Sequence, residues 1–421
     1  MDITPIRGMK DLYGLDFRKY QYIIDKSVCI ASKYGYQVIE TPIVENTNVF
    51  QRTLGDESDV VSKEMYSFTD KGGDQVTLRP EGTAGVMRAI SSNKMFVNEN
   101  NPLKLMYYGC MFRYDRPQKG RYRQFHQIGF EHIGEKSPYT DVMTIALATD
   151  IFKEIGLTEV KVLVNSLGGF KSRRVYIDAL VEYLKKYENE LSNDSKRRLI
   201  TNPLRILDSK EQRDAEICKD APKIHDYLTK DDSCYFDKVL KLLEQCNVKY
   251  EIDQNLVRGL DYYTHTTFEF KMSSGEYKDA LGGGGRYDCL LKMFGGSDIS
   301  GVGFALGVER LIMLLSDDII PALPQRVAVI PVSDTEFDCS FELSRTLLDA
   351  DIPIEFITGG RNLKKRVELA TKRGCSLLLI IGENEVKNGS VIITDTRSSN
   401  IAERNTSVRI NEVVQYLKKH I

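Results

Sequence analysis

The chain has 421 residues, 42% of them hydrophobic and 28% charged, with a net charge of −2. That length predicts two or three domains, and the composition excludes disorder and a uniformly basic nucleic-acid-binding surface. With no apolar run of about 18 residues and no signal-like core in MDITPIRGMKDLYG, a cytoplasmic protein without a membrane partner is expected.

FRKYQYIIDKSVCIASKYG (17–35) carries apolar and aromatic residues at helical spacing and stops at Gly35, a C-cap. YQVIETPIVENT reads as extended, with Pro42 suited to a strand edge or an interface. QVTLRPEG, LKLMYYGCMFRYD and RQFHQIGFEHIG predict strands separated by polar loops such as RPQKGRY (116–122). The pattern is α+β, a mainly antiparallel sheet with attached helices. Residues 170–249 are charge-rich and helical, and they interrupt the strand series as an inserted helical domain.

Strands resume with KYEIDQNLVRGLDYYTHTTFEFKM and ALGGGGRYDCLL, and GVGFALGVERLIMLL begins in glycines and becomes an apolar helix. DDIIPALPQR holds two prolines and reads as a linker. Beyond it RVAVIPV, IPIEFIT and CSLLLIIG alternate with helices near 335–350 and from Asn362 to Arg373, which predicts an α/β domain on a mostly parallel sheet. The division is thus 1–169 with 250–319, an insertion at 170–249, and a separate domain at 326–421.

Eight cysteines, at 29, 110, 218, 234, 246, 289, 339 and 375, form no C-x-x-C pair, so neither a zinc ribbon nor a disulfide framework is expected. Three arginine-bearing segments hold the chemistry: MFRYDRPQKGRYRQFHQ, NLVRGLDYYTH and GVERL. NLVRGLDYYTH (255–265) crowds Asn255, Arg258, Asp261, Tyr262, Tyr263 and His265 where a half-buried strand would alternate, so it is either a solvated edge or the lining of a polar pocket. MFRYDRPQKGRYRQFHQ places Arg113, Arg116, Lys119, Arg121 and Arg123 beside Phe112, Tyr114, Tyr122 and Phe125. That is a solvated basic hairpin or a nucleotide site, with guanidinium forks for phosphates and a ring for the base. GVGFALG matches a dinucleotide fingerprint only loosely and lacks its strand–turn–helix context, and no Walker-type loop is present. At RPEGT, Glu81 and Thr83 form either an ordinary turn or a receptor for an ammonium group.

Together these segments resemble the class II aminoacyl-tRNA synthetases, and within them the histidine-specific family. YGYQVIETPIVENTNVF looks like motif 1, FRYD with RYRQFHQIGFE like motif 2, and GVGFALGVERL like motif 3, ending in Arg310. LVRGLDYYTH, GGGGRYD and RPEGT mark the histidine-specific family, and the resemblance spans nearly the whole chain. It implies the class II fold with a helical insertion and a C-terminal α/β anticodon-binding domain. It also implies a histidine–tRNA ligase that forms histidyl-adenylate from L-histidine and ATP, then transfers histidine to tRNA(His).

On this resemblance Arg113 and Arg258 flank the α-phosphate, Arg258 standing where other class II enzymes use a metal ion. Arg121 and Arg310 grip the β and γ phosphates, and Phe125 stacks on adenine. Glu81, Thr83 and Gln127 hold the amino group and carboxylate of histidine, Glu131 and Tyr263 contact its ring, and Tyr262 shapes the pocket. Arg116 and Gln118 meet the tRNA acceptor end. The implied cofactors are Mg2+ on the triphosphate and no structural zinc; the implied assembly is a homodimer across motif 1. Arg361, Lys364, Lys365 and Arg366 would meet RNA phosphates or form a solvated helix face. Asp115 stands where the family usually has glutamate, and Cys289 where a smaller residue is usual. His126 and His265 read as structural, hydrogen-bonded histidines. Two alternatives are a catalytically inactive paralogue and a class II synthetase for another amino acid; the retained arginines and RGLDYY weigh against both.

Overall fold

Glycine-rich sequence forms the middle of the central sheet. The computed structural model describes residues 3–55, 58, 60–95, 102–258, 262–275, 277–296, 298–398 and 404–420. It divides into two units, Met1–Ile320 and Pro321–Ile421. In the first, the strands are β1 (Gln37–Val38), β2 (Val44–Asn46), β3 (Tyr66–Thr69), β4 (Gln75–Leu78), β5 (Leu103–Phe112), β6 (Gln124–Ile133), β7 (Val160–Ser166), β8 (Tyr250–Ile252), β9 (Thr264–Met272), β10 (Gly282–Tyr287) and β11 (Gly301–Gly307). Eight of them form one sheet in the order β1-β5-β6-β11-β10-β9-β7-β8; β2, β4 and β3 form a smaller one. Pairing is antiparallel throughout the large sheet except at its two edges, β1 with β5 and β7 with β8.

Because side chains alternate between faces along each strand, the register separates two environments. One face presents Met106, Ile128, Phe130, Val302, Phe304, Phe268 and Phe270, all buried. They pack with residues of the helices Gly14–Lys33, Pro138–Glu154, Lys230–Gln245 and Val308–Leu314, and Phe130 stacks on Phe304 with centroids 4.7 Å apart. Across the other face run two rows that are nearly bare. One reads Tyr107, Gly129, Ala305, Gly283, Glu269; the next reads Leu105, Glu131, Gly303, Gly285, Thr267. The GVGFALG segment, read from sequence only as the glycine-rich start of an apolar helix, is strand β11, and Gly303 gives clearance above the sheet.

Within residues 170–249 the helices Phe170–Lys185, Asn193–Thr201 and Gln212–Lys219 gather around Tyr176, Leu180, Leu199 and Ile217, continuous with Val257, Tyr262 and Tyr263. Asp214 fastens this segment by accepting the hydroxyls of Ser192, Ser195 and Ser209 at 2.6–2.7 Å. The helix Lys230–Gln245 packs on the opposite, phenylalanine-rich face through Phe236, Val239 and Leu243. The described residues 255–258 and 262–263 of NLVRGLDYYTH lie outside strands: β8 ends at Ile252, and β9 begins at Thr264, so of the segment's described residues only the last two are strand. Gly259, Leu260 and Asp261 lie outside the described residues.

The second unit contains β12 (Val327–Pro331), β13 (Ile354–Phe356), β14 (Leu377–Ile381), β15 (Ser390–Asp395) and β16 (Asn405–Arg409), in the order β13-β12-β14-β15-β16. The first three are parallel, as the βαβ alternation predicts, whereas β15 and β16 add an antiparallel edge. VAVIP and LLLII are buried almost throughout and read as apolar runs; NTSVR alternates and gives a weaker signal. Among the described residues no helix is long and apolar enough to cross a membrane.

One buried ion pair locks the first unit. Arg286, within GGGGRYD, and Asp141, in the first turn of Pro138–Glu154, are both fully buried. Arg286 donates to Asp141 Oδ1 at 2.9 Å, to Glu135 O at 3.1 Å and to Thr140 Oγ1 at 2.9 Å, while Thr266 and Tyr235 donate to Asp141 Oδ2 at 2.6 and 3.0 Å. Removing the acid leaves the buried guanidinium with only Asp288, 3.6 Å away, as counter-charge. Asp141→Ala should therefore destabilise the protein by about 3–5 kcal/mol in denaturant unfolding; an unchanged midpoint would show the network to be dispensable.

Candidate active site

The bare rows are the floor of a cavity of about 780 Å³. Its lining contains Glu81, Thr83, Arg113, Arg121, Phe125, Gln127, Glu131, Arg258, Tyr262, Tyr263 and Arg310, eleven of the thirteen site residues named from the sequence. Arg116 and Gln118 are exposed on the loop between β5 and β6, outside the lining. NLVRGLDYYTH thus borders a polar pocket and is not a solvated edge.

Clearance above the glycines is occupied by functional side chains. A Cβ on Gly303 would lie 2.0 Å from Glu131 Oε2, and one on Gly283 would lie 2.7 Å from an Arg258 guanidinium nitrogen. Glu131 accepts Thr83 Oγ1–H at 2.8 Å and the Tyr287 hydroxyl. Glu81 accepts the Thr83 and Ala84 backbone N–H groups at 2.6 and 2.8 Å, so it also orders the start of the helix Thr83–Ser92. Tyr262 stands 4.6 Å from Tyr263 and 5.7 Å from Tyr287, ring to ring, and Arg173 of the inserted segment donates to Tyr263 O at 3.0 Å.

The arginines are aimed by backbone carbonyls and carboxylates. Arg113 Nε donates to Pro80 O at 2.8 Å, and its guanidinium lies 5.5 Å from the centre of the Phe125 ring. Arg258 bonds Glu269 at 2.9 Å, and Arg121 pairs with Asp115 at 3.5 Å, so the shorter acid still reaches a cation. Arg310 bonds Ala280 O, joining the helix after β11 to the segment that leads into β10. Cys289 lies outside the cavity, 3.7 Å from Asp298. His265, at a left-handed φ of 46°, faces Lys136 and Asp288 and is likewise outside. His126 bonds Glu309 and Cys110.

Unsatisfied polar groups call for an occupant. Burial, together with neighbouring Arg121 and Arg113, pushes the Arg310 guanidinium below its ordinary value. Burial pushes Glu81 up and raises Glu131 to about 8, with the Glu81 charge adding to the rise. Three buried atoms of the lining, Arg121 Nε, Gln127 Oε1 and Arg258 Nε, have no hydrogen-bond partner among the described residues. Buried polar atoms are rarely left so. Guanidinium N–H groups without acceptors, beside a buried carboxyl of raised pKa and tyrosines, suit a polyphosphate lying next to a small polar molecule. Tyr287, Glu269 and Glu309 also line the cavity and escaped the sequence reading. Tyr287 and Glu309 sit inside motifs already singled out, GGGGRYD and GVERL; Glu269 carries no signal beyond being an acid in an apolar strand.

Residues 8–311 match the family model described as histidyl-tRNA synthetase. The chain belongs to the histidyl-tRNA synthetase family. Residues 326–420 match the anticodon binding domain. Curated relatives named histidine–tRNA ligase run the full length: one from Orientia tsutsugamushi is 44% identical, covering 99% of both chains, and one from Gluconobacter oxydans is 43% identical, covering 94% of both. The apo histidyl-tRNA synthetase of S. aureus superimposes with a TM-score of 0.81 at 33% identity, covering 99% of this chain and 100% of that one. The Nostoc histidyl-tRNA synthetase, at 20% identity and a TM-score of 0.68, shares the fold.

A histidyl-tRNA synthetase family member that holds Glu131 protonated should show it in its stability. The folded state keeps a proton that the unfolded state releases above the ordinary glutamate range, so this group's contribution is present at low pH and lost as pH rises towards 8. The unliganded protein should lose melting temperature between about pH 5 and pH 8, and Glu131→Gln should lose less. Parallel melting curves for the two proteins would contradict the burial assignment.

Proposed function

We propose that the cavity activates L-histidine with ATP and then passes the histidyl group to tRNA, with the following division of labour. The carboxylate of histidine attacks the α-phosphorus, pyrophosphate leaves, and negative charge grows on the α-phosphate oxygens. Arg113 and Arg258 stand on the two sides of that phosphate and supply fixed positive charge where it grows. What supports this is their arrival at one cavity from distant segments, each tethered: Arg113 by Pro80 O, Arg258 by Glu269. Arg121 and Arg310 take the outer phosphates, and Phe125 offers its ring to adenine. Magnesium enters as part of the substrate, on the triphosphate and water, because the nearby carboxylates Asp115 and Glu269 are each already paired with an arginine.

Histidine selection rests on Glu131 and Tyr263. A neutral imidazole offers one donor and one acceptor, and a side chain without them leaves buried polar groups unpaired. Glu81, Thr83 and Gln127 receive the amino group and carboxylate, with Tyr262 closing the side. The two-residue turn at Lys119 and Gly120, closed by Gln118 and Arg121, presents Arg116 and Gln118 to the acceptor end of tRNA(His).

In the C-terminal unit Arg361, Lys364 and Lys365 are exposed at the start of the helix Leu363–Lys372 and are assigned to RNA phosphates. Arg366 is not: it is buried, bonding Pro331 O at 2.8 Å, Gly360 O at 3.1 Å and Asp334 at 3.0 Å. The assembly is a cytoplasmic homodimer, a reading supported by exposed apolar residues around Pro42: Val38 on the edge strand β1, and Ile43 and Val44 at the start of β2.

Arg258→Ala should lower histidine-dependent ATP–pyrophosphate exchange by on the order of 10²- to 10³-fold, the usual cost of one lost charge-stabilising group. Near-normal exchange would refute the role given to it.

A further inference from the structure

A second constellation of reactive side chains lies on the helix-covered side of the sheet. Cys110 on β5 faces its ladder partner His126 on β6, with Sγ 3.2 Å from Nε2. The other ring nitrogen, Nδ1, is 2.7 Å from Glu309 Oε1, and the His126 backbone N–H donates to the same carboxylate at 3.0 Å. Thiol, imidazole and carboxylate therefore stand in the order nucleophile, base and orienting group.

The groups facing this trio come from every neighbouring element. Tyr20 of the helix Gly14–Lys33 places its ring 4.8 Å from that of His126, and Tyr108 precedes Cys110 on β5. Arg79 donates to Cys110 O at 2.9 Å, Gln124 lies 3.8 Å from the sulfur, and Glu309 comes from Val308–Leu314. Burial works against a charge on His126, but the bonds to Cys110 and Glu309 outweigh it and push the imidazole up to about 9. The His126 hydrogen bond holds the Cys110 thiol below its ordinary value, against burial. At Cys218, Cys289, Cys339 and Cys375 burial raises the thiol instead. Cys110 is only partly buried, so a thiol held below its ordinary value and bonded to an imidazole sits within reach of small solutes.

We propose that Cys110 is a modification site for small disulfides, and that capping it slows the activation step. The thiolate attacks one sulfur of the disulfide; a new S–S bond forms as the old one breaks. The departing thiolate takes the proton held by His126, leaving a mixed disulfide, a free small thiol and a neutral imidazole. The effect on activity rests on the reading of the cavity given above. His126 lies between Phe125 and Gln127, and Glu309 directly precedes Arg310, all of them cavity residues except His126 itself. Neutralising His126 weakens its hold on Glu309, the bond that ties β6 to the helix bearing Arg310.

The test treats the intact protein at neutral pH with limiting glutathione disulfide and reads each cysteine by peptide mass spectrometry. Cys110 should be modified about tenfold faster than the more exposed Cys29, Cys234 and Cys246. Histidine-dependent pyrophosphate exchange should fall about five- to tenfold with that modification and recover with dithiothreitol. Cys110→Ser should keep the exchange and lose the sensitivity. Modification of Cys110 no faster than of Cys29 overturns the site, and undiminished exchange with Cys110 fully capped overturns its coupling to activation. If untreated protein shows no exchange, the cavity reading fails, and the order of modification still decides the site.

Discussion

Almost nothing projects from the middle of the sheet on the side that faces the cavity, and the whole site depends on that clearance. Glu131 and Arg258 reach their places only by lying flat over Gly303 and Gly283. A side chain at either position would meet the carboxylate or the guanidinium inside van der Waals distance. The strands thus hold functional groups close to the backbone of a rigid sheet, where they lose contact with bulk water. Burial then acts on both charge types at once. It raises the Glu131 carboxyl and lowers the Arg310 guanidinium, while Arg121 Nε and Arg258 Nε are left without acceptors.

Rigidity comes from the other face and from the sheet's margins. Phenylalanines on β6, β9 and β11, packed face to face and edge to face, tie the floor to four helices, and Arg286 with Asp141, both fully buried, joins β10 to the helix Pro138–Glu154. Electrostatic stabilisation is effective when the charges need not move as the reaction proceeds. Each of the cavity arginines Arg113, Arg121, Arg258 and Arg310 is held by a backbone carbonyl or an acid. The inserted segment shares in this, since Arg173 holds the backbone at Tyr263.

Much of this was legible in the residues, for reasons that differ from element to element. Amphipathic helices and apolar strands announce themselves by period, so the α+β unit and the following βαβ alternation could be read directly. The arginine-rich segments declared a charge requirement but not its location; by themselves they fitted a solvated hairpin equally well, and only resemblance to known motifs assigned them roles. Strand β11 was hidden because glycine has no strand propensity, and its pairing is dictated by the neighbouring strands. The antiparallel edge β15–β16 was hidden by its mixed pattern. Arg366 looked like its exposed neighbours because sequence does not reveal which way a helix turns. Glu269 could not be found at all: an acid at one strand position has meaning only once Gly283 and Arg258 are seen beside it.

The most direct test of the bare-floor account is calorimetric titration of histidine and of ATP into Gly303→Ala, with unfolding curves to verify that the variant remains cooperative. The added methyl displaces Glu131, so histidine affinity should fall by about a hundredfold, ~3 kcal/mol, while ATP affinity stays near that of the parent. Undiminished histidine binding by the folded variant would contradict the account.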